Sequence, residues 1–289
     1  MSQSSTEQRP ARPDHSAKPS NLKRRIRTVL VLLPIAIAFV VAGGLPFTIF
    51  IAVIAVFALL ELYTMGREWI YRGNRVIGIV AALIIIVGFH SDEAALWQAA
   101  LALGLLIALV WELARTPDAA SQAVLRAATT LGAVVYIAIP AAFVILLRAL
   151  PDGLTWLLTA LVLTWVTDSF AYFGGRRFGQ HKLAPRISPK KTVEGAVAGF
   201  IGGTIAGVVV LVAGGIFTVS ALPLLILAPV VATIGDLFES AIKRYFAVKD
   251  SHLPSLDLMP GHGGVLDRVD SLLFVTAFVY LYIEVFNLM

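Results

Sequence analysis

Long apolar runs, separated by short polar segments, extend along almost the whole chain. A helix that spans a bilayer needs about 20 mostly apolar residues, and about nine runs approach or reach that length. The candidate spans are residues 27–43, 46–64, 76–90, 95–113, 130–148, 154–173, 196–214, 221–240 and 271–288. The third run is short, and the division between the first two depends on the Gly-Gly-Leu-Pro sequence at 43–46. The pattern predicts an all-α integral membrane protein with about nine transmembrane helices.

The distribution of basic residues predicts the orientation of these helices. Lys23, Arg24 and Arg25 come directly before the first run, and cytoplasmic loops of membrane proteins are enriched in Lys and Arg. With the N-terminus in the cytoplasm, alternating spans place nearly all other basic loops on the same side, and Arg148 is the visible exception. We therefore expect a cytoplasmic N-terminus and a C-terminus outside.

Composition supports a membrane protein and excludes some chemistry. Hydrophobic residues make up 58% of the chain and charged residues 14%, against about 45–50% and about 25% in soluble domains. The chain has no cysteine, which excludes disulfides, thiolate metal sites and cysteine nucleophiles. Basic residues cluster between apolar runs instead of covering a soluble fold, so nucleic-acid binding is not expected.

The ends of the apolar pattern suggest a simple domain organisation. Residues 1–22 are rich in Ser, Gln and Pro, which predicts a disordered cytoplasmic tail. The first apolar run comes late and is followed by further spans, so we interpret it as a retained helix and not as a cleaved signal peptide. Residues 23–289 then form one polytopic membrane domain. Two polar segments interrupt its apolar pattern at about 174–195 and 241–270, and with the adjoining ends of the apolar runs they make up the segments 164–195 and 235–271, which carry the candidate catalytic chemistry.

The segment 235–271 carries the strongest chemical pattern. Asp236, Ser240 and Lys243 lie four and three residues apart, so they share one face if the eighth run continues as a helix. Asp267 and Asp270, three residues apart at the start of the last run, can face the same site. Carboxylates at membrane depth are costly, and they indicate a functional site.

A glycine-rich turn, Gly-His-Gly-Gly at 261–264, lies between these acidic residues. Glycines allow positive φ angles, and consecutive amides in such a turn bind anions. We interpret His262 as a turn residue that hydrogen-bonds phosphate, with a general base as the alternative. Mg²⁺ typically binds one or two carboxylates together with substrate phosphates. The segment thus has the parts of a phosphoryl- or nucleotidyl-transfer site.

The segment 164–195 adds a carboxylate and a cationic turn. Asp168 lies late in an apolar run, where it is either a site residue or a polar residue of helix packing. The Ser-Pro-Lys-Lys-Thr sequence at 188–192 precedes a predicted helix. A hydroxyl there can cap the helix, and the same geometry can hold phosphate. The alternative role for these lysines is to anchor the loop.

Together the two segments resemble the signature of the phosphatidate cytidylyltransferase (CDP-diacylglycerol synthase) family. The resemblance rests on the Asp-x-x-Ala-Tyr sequence from Asp168, the Ser-Pro-Lys-Lys-Thr-x-Glu-Gly sequence from Ser188, the Ser-x-x-Lys-Arg-x4-Lys-Asp sequence from Ser240 and the Pro-Gly-His-Gly-Gly-x-x-Asp-Arg-x-Asp sequence from Pro260. It implies transfer of CMP from CTP to phosphatidic acid, which gives CDP-diacylglycerol and pyrophosphate for phospholipid synthesis. One departure from the family is the connection between Asp250 and Pro260. Its nine residues, 251–259, are more than is usual in the family and look like an insertion.

The resemblance also implies roles for individual residues. The catalytic residues would be Asp236, Asp267, Lys243 and Arg268. The carboxylates that hold Mg²⁺ would be Asp236, Asp267 and Asp270, and a second cation is left open. The substrate-binding residues would be Ser240, Arg244, Lys249, Asp250, His262, Gly263, Gly264, Asp168, Ser188, Lys190, Lys191 and Thr192. The enzyme would lie in a bacterial inner (plasma) membrane with its active site facing the cytoplasm, and a homodimer is expected.

Three other functions compete with this one. A transporter would place charged residues along an ion path, yet the charges here gather towards one face. An enzyme that transfers another nucleotide or phosphate group to a lipid would need the same parts, and the residues alone do not select cytosine. A structural scaffold would leave the clustered acids and glycines unexplained.

Overall fold

Nine α-helices and one small β-sheet form the described part of the chain in a computed structural model, which comprises residues 20–66, 72–116, 118–248, 250–251 and 263–288. The helices are α1 Ser20–Ala42, α2 Gly44–Met65, α3 Arg75–His90, α4 Ala94–Arg115, α5 Ala120–Ala149, α6 Gly153–Phe178, α7 Val193–Ala213, α8 Leu222–Tyr245 and α9 Leu266–Phe286. A short 3₁₀ turn, Val219–Ala221, precedes α8. Residues 1–19 of the predicted tail lie outside the described residues, and α1 begins at Ser20.

Each predicted span corresponds to one helix, but not every helix is long enough to cross a membrane. Among the described residues, 7 helices have the required length and apolar character, namely α2 and α4 to α9. The apolar part of α1, Leu30–Ala42, and the whole of α3 are shorter. An all-α membrane architecture is therefore confirmed, while nine spans and the orientation of the termini stay predictions.

Helix α5 begins well before the run that predicted it. It starts at Ala120 and not at residue 130, because a polar residue, Arg126, interrupts the apolar pattern without ending the helix. The guanidinium of Arg126 lies 3.5 Å from the carboxylate of Glu112 on α4, which is 5% exposed. The hydropathy pattern ends the apolar run at Arg126, but the ion pair with Glu112 allows the charged side chain to lie within the helix.

A two-stranded hairpin between α6 and α7 is a small addition to the helical architecture, which the apolar pattern does not predict. Strand β1 is Lys182–Ala184 and strand β2 is Ser188–Thr192, and the two pair antiparallel. Arg244, near the end of α8, donates from Nε to the carbonyl of Ile187 at 3.2 Å. The hairpin is therefore tied to the end of α8, the helix that also carries Asp236.

Close packing of α6 against α7 positions the first polar segment. A Cβ added at Gly203 would lie 2.1 Å from Oγ1 of Thr167, and one at Gly199 would lie 2.7 Å from the Thr167 carbonyl. Small residues let two membrane helices approach this closely. The approach brings the end of α6, the hairpin and the start of α7 together.

Arg148, the exception to the predicted charge distribution, has a structural contact. Its Nε donates to the carbonyl of Val40 at 2.8 Å, and its Nη2 donates to that of Val41 at 3.0 Å. The last carbonyls of a helix have no partner within the helix. Arg148 donates hydrogen bonds to two such carbonyls at the end of α1, which accounts for a basic residue at this position.

The packing of α6 on α7 predicts the effect of adding a single methyl group. We expect Gly203→Ala to lower the free energy of unfolding by about 1–3 kcal/mol through overpacking. Gly132→Ala on α5 is the control, because no atom from outside its own stretch of helix lies within 4 Å of its added Cβ among the described residues. The thermal midpoints of the two detergent-solubilised variants check this, and equal midpoints would contradict the packing account.

Candidate active site

Three carboxylates from three helices form the first acidic group. Asp168 of α6, Asp236 of α8 and Asp270 of α9 interact electrostatically with one another. Nζ of Lys191, on strand β2, lies 2.6 Å from Oδ2 of Asp236, and the Ser240 hydroxyl donates to Oδ1 at 3.2 Å. The hairpin, α6, α8 and the first turns of α9 therefore meet around Asp236. We call the three carboxylates, with Lys191 and Ser240, the Asp236 group.

A second, more buried group surrounds Lys243. Its Nζ lies 2.5 Å from Oε2 of Glu239 and 2.9 Å from Oδ1 of Asp267. The other oxygen of Asp267 accepts from the backbone amides of Gly264 at 2.9 Å and Ser251 at 3.3 Å. Glu239 is fully buried, and its Oε1 has no hydrogen-bond partner among the described residues. Protein donors thus contact both carboxylate oxygens of Asp267.

Glu61, near the end of α2, joins this second group from outside both polar segments. It is 2% exposed and accepts from the amides of Val265 and Leu266, each at 2.8 Å. The hydroxyl of Ser251 also donates to it, at 3.1 Å. Sequence reasoning omitted Glu61. The available signal was a carboxylate within a span, but no local pattern tells which distant amides it meets.

The structure brings part of the predicted α8 face together. Ser240 and Asp236 are hydrogen-bonded as their spacing predicts. Lys243 instead contacts Glu239 and Asp267. Arg268 interacts electrostatically with Asp168, so it lies near the Asp236 group. Asp236 and Asp267, predicted together as metal ligands, are in contact with different lysines.

The cationic turn at 188–192 is split between several roles. Thr192 caps α7, because its Oγ1 accepts from the amide of Gly195 at 3.1 Å, as the sequence predicts. Ser188 is half-buried at the start of β2, while Lys190 is exposed and Lys191 pairs with Asp236. Arg244 donates hydrogen bonds to two backbone carbonyls, that of Ile187 in the hairpin and that of Val248 just after α8.

The glycine turn is described only in its second half. Gly263 has a φ of +83°, which agrees with the positive φ expected of a glycine there. A Cβ at Gly264 would lie 2.0 Å from Oγ of Ser251 and 2.6 Å from Oε2 of Glu61. Lys249, His262 and the stretch 252–259 lie outside the described residues, and Asp250 lies just before that stretch.

The Asp236 group has the chemistry to hold a divalent cation together with a substrate. Within the described ranges, no group of three or more acidic or His residues has the geometry of a complete metal site. Mg²⁺ does not require one, since it takes one or two carboxylates and completes its shell with phosphate oxygens and water. The ammonium group of Lys191 on Asp236 marks a position where a cation is accommodated.

An apolar cavity of about 210 Å³ lies between α2, α5 and α8. Its lining includes Leu62, Tyr63, Tyr136, Phe238, Ile242 and Phe246. Phe238 and Ile242 of this lining directly precede Glu239 and Lys243 on α8. A hydrocarbon-lined space therefore borders the charged groups.

The ion pairs of Lys243 predict a large loss of stability when only the cation is removed. We expect Lys243→Met to lower the free energy of unfolding by about 3–5 kcal/mol, because Glu239 is left as a buried unpaired charge. The double variant Lys243→Met/Glu239→Gln removes that charge and should recover much of the loss. Thermal unfolding of both variants measures this, and equal midpoints for the single and double variants would contradict it.

Comparison with known proteins finds a matching family model and several named relatives. Residues 23–286 match the model of the Cytidylyltransferase family. A protein of Bacillus subtilis named phosphatidate cytidylyltransferase is 35% identical over 92% of this chain and 99% of its own length. Proteins of the same name from Staphylococcus saprophyticus and Staphylococcus haemolyticus are 35% and 36% identical over 88% of this chain and 96% of their own lengths. The chain therefore belongs to the cytidylyltransferase family.

Proposed function

We propose that this protein transfers CMP from CTP to phosphatidic acid and so makes CDP-diacylglycerol and pyrophosphate. The observation that carries the proposal is the meeting of Asp168, Asp236 and Asp270 with Lys191 and Arg268 where the membrane-embedded helices α6, α8 and α9 adjoin the hairpin. A nucleotidyl transfer needs such a set of charges. The names of the family relatives supply the two substrates.

The reaction requires no covalent bond to the enzyme. An oxygen of the lipid phosphate attacks the α-phosphorus of CTP, and the bond from that phosphorus to the oxygen bridging the α- and β-phosphates breaks. Pyrophosphate leaves with this oxygen and its electron pair. Catalysis is then mainly positioning and electrostatic stabilisation. In this assignment Lys191 and Arg268 neutralise phosphate charge, and Lys243 holds Asp267 in place.

Mg²⁺ is the cation that this donor set fits best. Asp236 would hold it, with Asp270 as the other carboxylate of the group and Asp267 as the further ligand that the family resemblance implies. When bound, the ion neutralises charge on the transferring phosphate and polarises its oxygens. Oxygen ligands without thiolates or clustered imidazoles favour such a hard cation.

The membrane supplies the lipid substrate directly. The apolar cavity beside Tyr136 offers space for hydrocarbon next to the charged groups. The bacterial origin of the relatives supports a location in the plasma membrane. Basic residues near the site favour a cytoplasmic active site, where CTP is available.

A homodimer is the oligomeric state that we propose. Crosslinking in native membranes that traps only monomer would contradict it.

Pyrophosphate release by the purified protein in detergent tests the proposed reaction. We expect release only when CTP, phosphatidic acid and Mg²⁺ are all present, with CDP-diacylglycerol in the lipid fraction. Each component is omitted in turn, and EDTA followed by added Mg²⁺ tests the metal. ATP with phosphatidic acid, and CTP with diacylglycerol, are the substrate controls. Folded protein that releases no pyrophosphate would refute the proposal.

Asp267→Asn tests the role of this carboxylate. An amide keeps the size but loses the charge that Lys243 and two backbone amides contact. We expect kcat to fall by about 10²-fold or more, while the protein remains in the membrane and elutes as a single species. Asp118→Asn, in the exposed loop between α4 and α5, is the control. Full activity of Asp267→Asn would remove Asp267 from the site.

A further inference from the structure

Glu61 belongs to neither polar segment and takes no part in the proposed chemistry, yet it contacts both ends of the segment that carries the glycine turn. We infer that Glu61 is a positioning residue: its hydrogen bonds to Ser251, Val265 and Leu266, here named the Glu61 tether, hold Asp267 in register with Lys243. The inference rests on the proposed function for its catalytic consequence.

The first step of the argument is the unmet backbone donors at the start of α9. The first amides of a helix have no partner within the helix, and the residue before α9, Val265, makes no side-chain cap. Glu61 accepts from the amides of Val265 and Leu266, from a helix about 200 residues earlier in the chain. A carboxylate is favoured there because the positive end of the helix dipole attracts negative charge.

The second step is that the tether and Asp267 share the same backbone. Ser251 donates its hydroxyl to Glu61 and its amide to Asp267. The amide of Gly264 is bonded to Asp267, while the next amide, that of Val265, is bonded to Glu61. A shift of this backbone away from Glu61 therefore moves the donors of Asp267 as well.

The third step is steric. A Cβ at Gly264 would lie 2.6 Å from Oε2 of Glu61 and 2.0 Å from Oγ of Ser251. Only a glycine lets the backbone come this close to the carboxylate. The glycine turn is therefore fitted to Glu61 as well as to any phosphate that it binds.

A buried glutamate can also serve stability alone, and the chain offers a matched example. Glu112 is 5% exposed and pairs with Arg126 on α5, away from Asp236 and Asp267. Glu61→Gln and Glu112→Gln make the same chemical change in a buried carboxylate. A purely structural role predicts similar consequences for the two variants, whereas positioning predicts a loss of turnover only at Glu61.

The experiment compares Glu61→Gln, Glu61→Asp and Glu112→Gln in the full-length protein. At equal folded concentration we expect Glu61→Gln to lower kcat by about 10–100-fold, the usual cost of losing a partner that orients a site residue. The KM for CTP should change much less. Glu61→Asp keeps the charge and should recover part of kcat, and Glu112→Gln should stay within about twofold of the parent.

Amide hydrogen exchange supplies a readout that does not depend on activity. In Glu61→Gln, amides in 263–268 should exchange faster than in the parent, with no such change in Glu112→Gln. Parental kcat in folded Glu61→Gln, an equal loss in Glu112→Gln, or unchanged exchange at 263–268 would each overturn the inference. Absence of pyrophosphate release by the parent would refute the proposed function instead, and the exchange comparison would still decide whether the tether exists.

Discussion

Buried charge is the constraint on which the arrangement of this protein depends. A carboxylate taken out of water costs several kcal/mol unless a cation or several hydrogen-bond donors compensate it. Glu61, Glu239 and Asp267 are all strongly buried, and each lies against cations or backbone amides. Because these partners come from α2, α8 and α9, the three elements are held together at one end of the helix bundle.

The same constraint explains the elements that are not spanning helices. The hairpin delivers Lys191 to Asp236, and Arg244 fastens the turn of the hairpin to α8. Close contact between α6 and α7 leaves no room for side chains larger than glycine at 199 and 203, and it sets the hairpin between the ends of these helices. The site is therefore built from short polar connections that long apolar helices hold in position.

Sequence reasoning succeeded where the determining interaction is local. A span follows from the apolar run itself, the Thr192 cap from residues three apart, and the hydrogen bond between Ser240 and Asp236 from one helical turn. It missed interactions between distant segments. No local pattern specifies that Glu61 meets Val265. The hairpin at 182–192 lacked the alternating apolar residues by which strands are recognised.

The two charged groups differ in their access to solvent, and this separates their roles. The side chains of Lys191 and Asp236 are 24% and 28% exposed. Those of Lys243, Asp267 and Glu239 are 14%, 9% and 0% exposed. Charges that are partly in water exchange partners at low cost, whereas separating a buried pair leaves an uncompensated charge. The Asp236 group is thus the more accessible of the two from water, as the proposed binding of a soluble nucleotide and a cation requires. The second group, formed by Lys243, Glu239 and Asp267, keeps Asp267 in place and holds α8, α9 and the glycine turn in a fixed relation.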